Sequence, residues 1–204
     1  MKVNVRKARQ EAQKQRIEEQ EGRIIEYIEA LGCQFCRDLR GFGKVRLSRL
    51  VRGAYAEMME YYEHYGGDME KGLLPDDVPT LYVGLRNQVA ALNVPVEQIE
   101  KNAELSPDFV TWRSNKDRIK RQNRYEETVR MNRMIRSYWY AMILHLWHTY
   151  GWGQVRLTKF YNMVSMTYWW VMSRYLYCKD EMDAAVLDVM NTAVAEIKEI
   201  GVEL

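Results

Sequence analysis

Apolar residues recur at helical spacing through most of this chain, and glycines interrupt them. Between residues 22 and 39, Ile24, Ile25, Ile28, Leu31, Phe35 and Leu39 share one face. After Gly41-Phe42-Gly43 the stripe resumes with Leu47, Leu50, Val51, Ala54 and Met58. Recurrence at i, i+3, i+4 and i+7 predicts amphipathic helices over 22–39 and 44–65, the second with Glu57, Glu60 and Glu63 as an acidic outer face. Gly66-Gly67 stops that helix. A loop with Pro75 and Pro79 follows, then a helix over 81–92 capped by Thr80, ended by Asn93, and a short helix from Pro95 to about Ala103. Further on, Tyr138, Trp139, Met142, His145 and Leu146 lead to a second glycine turn. Leu157, Phe160, Tyr161, Val164 and Tyr168 mark the helix after it, from Gln154 to about Tyr177. A last helix spans about 180–199, with Ala185, Val186, Val189, Met190, Val194 and Ile197 inward and Gly201 as its stop. Short alternating strands recur nowhere, so the pattern predicts an all-α fold.

The two glycine turns are versions of one sequence. Gly41-Phe42-Gly43-Lys44-Val45-Arg46-Leu47-Ser48-Arg49-Leu50 returns, 110 positions later, as Gly151-Trp152-Gly153-Gln154-Val155-Arg156-Leu157-Thr158-Lys159-Phe160. The register holds upstream, where Cys36 falls on Leu146. It holds downstream at a shift of 108, where Ala91-Leu92-Asn93-Val94 lies over Glu199-Ile200-Gly201-Val202. A fixed long shift across three segments marks a tandem duplication. The expected organisation is a charged N-terminal helix or arm (1–21), a first helical module (22–94), a linker with a short helix (95–112), and a basic helix with a second module (113–204).

Charge changes the picture locally rather than globally. The net charge of +2 over 204 residues gives no global argument for nucleic acid and, with the acidic face of module one, weighs against a DNA binder. Residues 113–136, however, hold nine basic residues against Asp117, Glu126 and Glu127. Arg113, Lys116, Lys120 and Arg124 fall on one helical stripe, either a phosphate-tracking or acidic-protein surface or a solvated helix paired with the acidic face of module one. Arg46, Arg49, Arg156 and Lys159 stand in the first two turns of the helices after the glycine turns. They either grip phosphate or carboxylate or donate to the loose carbonyls that end the preceding helix.

The run Tyr168-Trp169-Trp170-Val171-Met172 is apolar on all sides. Such a helix is covered from more than one direction, by core or by a second copy, or else displays a binding patch. Trp152, Trp169 and Trp170 are therefore candidate contacts to the extent that they are exposed.

Catalytic chemistry finds little support. Cys33-Gln34-Phe35-Cys36 is a C-x-x-C, but its counterparts at Ile143 and Leu146 are hydrophobes, so both cysteines read as core. His145 and His148 stand three apart, yet His145 falls on the core position Phe35, and no metal or cofactor is expected. The G-x-G follows a helix rather than a strand and lacks the remainder of a dinucleotide fingerprint. Three cysteines and a charged start without a leader segment predict a reducing, cytoplasmic setting. The longest stretch free of acidic and basic residues, Ser137 to Val155, contains two histidines and two glycines, so no membrane span is expected.

Gly-aromatic-Gly-x-Val-Arg-Leu-[Ser/Thr]-[Arg/Lys] after an amphipathic helix, with the closing Ile200-Gly201-Val202-Glu203-Leu204, resembles short uncharacterised proteins of phages and prophages of Gram-positive bacteria. Those usually hold one such unit, and this chain holds two. The resemblance covers about half the chain and brings no activity or functional residue with it, but it implies a phage context. The first expectation is a non-enzymatic interaction protein that binds a protein or a protein–nucleic-acid complex, as an anti-defence or anti-CRISPR-type inhibitor does. The alternative is a duplex-DNA binder with helix-turn-helix-like units. A weaker third is a structural homodimer of the phage particle or replication machinery.

Overall fold

A computed structural model describes the backbone of residues 2–104, 122–177 and 184–204, and the side chains of residues 11, 22–103, 132–171 and 187–204. The chain is all-α. Among the described residues there are seven helices and no strand: α1 (Lys2–Arg40), α2 (Lys44–His64), α3 (Leu81–Ala91), α4 (Val96–Glu104), α5 (Gln122–Tyr150), α6 (Gln154–Tyr177) and α7 (Ala184–Glu199). The segment 2–21 is not a separate element; its backbone runs unbroken into the packed helix to form α1.

The two glycine turns repeat each other in geometry. Gly41 and Gly151 sit at φ +60° and +61°, the left-handed region that favours glycine. Each closes its preceding helix through an N–H bond, to Arg37 O and to Trp147 O. Each is followed by a buried aromatic, Phe42 or Trp152. Gly43 and Gly153 then accept the first helical hydrogen bonds, from Arg46 and Arg156 at 3.0 Å in both cases. The inward stripes match in turn: Leu47, Leu50, Val51, Ala54 and Met58 are buried on α2, and Leu157, Phe160, Tyr161, Val164 and Tyr168 on α6.

The helices then interlock. α2 makes its main packing with α5 of the other hairpin, and α6 packs on α1. α3 lies against α5, and α7 against α1, so each third helix covers the first helix of the opposite half. The ends of those third helices correspond as well: Asn93 has φ +60° and Gly201 φ +81°. The Gln154 amide donates to Asn93 O at 2.7 Å. In the same relation, the Lys44 chain crosses Gly201, where a Cβ would lie 2.6 Å from its Nζ. Residues 110 apart also touch each other. A Cβ on Gly32 would lie 2.6 Å from Met142 Sδ, and the Phe42 and Trp152 rings meet edge-on at 5.8 Å. Positions that meet their own counterparts lie on the axis that exchanges two halves, so an approximate two-fold axis runs through both contacts and emerges between the turns.

Three expectations are corrected. Glu57 is not on the outer face of α2; it turns into the seam with α5, leaving Glu60 and Glu63 outside. Val189 is exposed, while Met190 and Ile197 carry the burial of α7. Thr80 stands at the start of α3 without a capping hydrogen bond from its side chain.

Candidate functional site

The outer face of the paired turns is where the exposed charge collects. Residues 40–52 and 150–162 contain Arg40, Lys44, Arg46, Arg49, Arg52, Arg156 and Lys159, and no carboxylate. All seven are exposed. Among the described residues, ion pairs engage none of Arg46, Arg49, Arg156 and Lys159. The carbonyls of Arg37 and Trp147 that end the preceding helices are already met by backbone N–H groups. The Arg46 guanidinium lies instead over the Phe42 ring, 5.6 Å from its centroid, and the Tyr150 hydroxyl donates to Arg46 O at 3.2 Å. Between these cations stand Val45 and Val155, 70% and 81% exposed. Neither α2 nor α6 has an acidic residue in its first turn, so the positive end of each helix adds to the side-chain charge.

The other sequence candidates are placed differently. Trp152 and Trp169 are buried in the core, and Trp170 is half-buried against it. Residues 168–171 of the aromatic run are therefore interior rather than a display surface: of the alternatives left open for this run, core packing holds, and Trp152 and Trp169 are corrected as candidate contacts. The reason is packing: α6 is covered by α1, α4, α5 and α7, whereas among the described residues α2 has no counterpart of α4 against it. Arg113, Lys116 and Lys120 lie outside the described residues; Arg124 falls on α5 by its backbone, and its side chain is outside them. Cys33 and Cys36 are both free and buried. Burial pushes the Cys33 thiol up to about 12 and the Cys36 thiol well above its ordinary value, so neither is a thiolate nucleophile at neutral pH. Among the described residues no group of three His, Cys, Asp or Glu side chains is placed to hold a metal ion. No described helix is long and apolar enough to cross a membrane.

The structure adds three polar clusters that the stripe pattern did not reveal. The first centres on Glu100 of α4. Tyr140 and Tyr161 donate to its Oε1, the latter at 3.0 Å, Arg136 approaches the same oxygen at 3.3 Å, and Arg86 reaches Oε2 at 3.2 Å. Burial opposes the Arg136 charge, but Tyr161 and Glu100 outweigh it and hold the guanidinium protonated. This network is closed on itself and fastens α3 and α4 onto the second hairpin. Its signal was present, since Glu100 follows Val96 and Ile99 on the face that turns inward.

The second cluster is Glu29, 1% exposed, with Tyr55, Tyr138 and Cys33 around it. Burial pushes its carboxyl above the ordinary 4.5, and the Tyr55 and Tyr138 hydroxyls pull it only part of the way back. Glu29 Oε1 and the Tyr138 hydroxyl lack a well-formed partner.

The third joins the hairpins. The Glu57 carboxylate lies 3.0 Å from His148 Nδ1 and 3.8 Å from His145 Nδ1. Burial, His148 and Arg49 depress the His145 pKa. The imidazole packs on Gly53, where a Cβ would come within 2.2 Å of it.

No protein family matches the chain, and no curated protein or solved structure matches it.

Proposed function

We propose that this is a non-enzymatic helical interaction protein that docks an acidic macromolecule on the paired-turn face. The observation that carries the reading is the set of seven exposed cations beside two exposed valines on touching turns, in segments 40–52 and 150–162 that hold no carboxylate of their own. Exposed Val45 and Val155 have no part in the fold, yet the same Val-Arg pair stands at both helix starts. Identity at buried positions follows from packing, whereas identity at exposed positions suits a surface used twice. The two halves then descend from one ancestral hairpin, and the phage resemblance fits a chain that acts by occupying a macromolecule of the host or its defences. The buried cysteines and the closed Glu100 network favour binding over catalysis.

The test is retention on a polyanion, measured as the salt needed to release the protein from immobilised heparin. Reversal of Arg46, Arg49, Arg156 and Lys159 to Glu should abolish retention at low salt, with the helical circular-dichroism spectrum unchanged. Retention equal to the parent would reject this face.

A further inference from the structure

The approximate two-fold axis has a bearing on which acidic partner the face takes. The axis passes between Phe42 and Trp152, which touch at 5.8 Å, and between Gly32 and Met142 in the core. It emerges between the turns, and four of the exposed cations occupy equivalent positions in the two halves. Arg46 and Arg156 are each three residues beyond the second turn glycine, and Arg49 and Lys159 six beyond. Arg46 stays near the axis through its place over Phe42, 5.6 Å from the ring centroid.

A ligand that presents equal anionic groups about a two-fold axis satisfies both pairs with one geometry. Double-stranded nucleic acid does so, because its antiparallel strands are related by a dyad at every base pair, and two-fold protein surfaces are matched to it on that ground. A single strand presents one phosphate row, and a monomeric acidic protein presents no such pairing. The seven cations of the turn segments match a phosphate backbone in sign.

We propose that the paired-turn face takes double-stranded nucleic acid, its two-fold axis set on a dyad of the duplex, with Arg46 and Arg49 on one strand and Arg156 and Lys159 on the other. This rests on the reading of that face as a docking surface. Backbone contact of this kind carries no base specificity. With four phosphates neutralised, the affinity should fall roughly a hundredfold between 50 and 200 mM salt.

The experiment is fluorescence anisotropy of the full chain with a labelled random-sequence duplex, the matching single strand, and labelled poly-glutamate, across a salt series. The variants are Arg46→Glu with Arg49→Glu, Arg156→Glu with Lys159→Glu, and Lys101→Glu, an exposed α4 position, as the control for net charge. The result expected is preference for duplex over single strand, a loss of about tenfold or more from either paired variant, and little change from the control. Equal binding of single strand, or a loss from one pair only, would overturn the dyad placement. Binding of poly-glutamate without duplex would overturn the proposal while the docking reading stands. Binding of none of the three probes at low salt would overturn both.

Discussion

The two hairpins share a turn, a register and an inward stripe, and differ in what covers them. Met59 on α2 is exposed, while Trp169, 110 positions on, is buried on α6. Tyr55 is likewise exposed against buried Ser165, and Glu60 against half-buried Trp170. The difference follows from α4, which packs on α6 and, among the described residues, has no counterpart beside α2. One scaffold therefore supports a solvated helix and an enclosed one, according to a single added element. The fate of an aromatic run is set by its neighbours and not by its own composition.

The comparison can be broken most sharply at Glu100 of α4, whose network fastens α3 and α4 onto the second hairpin. Glu100→Ala leaves Arg86 and Arg136 without their carboxylate and should cost about 3–5 kcal/mol of stability, because a half-removed buried ion pair strands its partners. Urea denaturation checks this, and a loss under about 1 kcal/mol would mean that water already serves the two guanidiniums.

A smaller, symmetric effect is expected at the turns. Gly41→Ala and Gly151→Ala each place a Cβ on a left-handed residue with open space around it, so each should cost about 1–2 kcal/mol from backbone strain alone. Equal losses in thermal or urea unfolding sharpen the equivalence of the turns, and a several-fold difference removes it.

The smallest effect is carried by pH and belongs to the first hairpin. Glu29 has a folded pKa above its ordinary 4.5, with burial the leading cause. The folded state therefore holds this proton more tightly than the unfolded state. The stability it contributes is present below pH 4.5 and is lost as pH rises through the folded value. Glu29→Gln should raise the melting temperature at neutral pH relative to the parent and flatten its decline above pH 4.5. Parallel melting curves across that range would show that the carboxyl is already solvated.

The helical framework was legible because its cues are local. Glycines at 41, 151 and 201 and Asn93 end helices where the chain says they do, and the stripe residues of α2 and α6 are buried without exception. What was not legible depends on partners far along the chain. Glu57 reads as outward from its own helix, yet it turns inward because His145 and His148 arrive some 90 positions later. Trp152 and Trp169 could be assigned to core or to surface only once the elements around α6 were in place. Of the candidate contacts, Arg46, Arg49, Arg156 and Lys159 are exposed, since a charged position off the apolar stripe reports its own exposure. Tyr140, Tyr161 and Arg136 were missed because on the sequence they are an aromatic pair and one arginine among many.

The exchange of third helices has a consequence for synthesis. α1 is made well before the helix that lies along it, which is tied through Glu196 to Gln34 and Arg37 and through Lys198 to Glu26. At ordinary translation speeds the ribosome needs roughly 10 to 30 seconds to travel from one to the other. During that interval the first hairpin has no lid, and its apolar side stands open to chaperones or to neighbouring nascent chains.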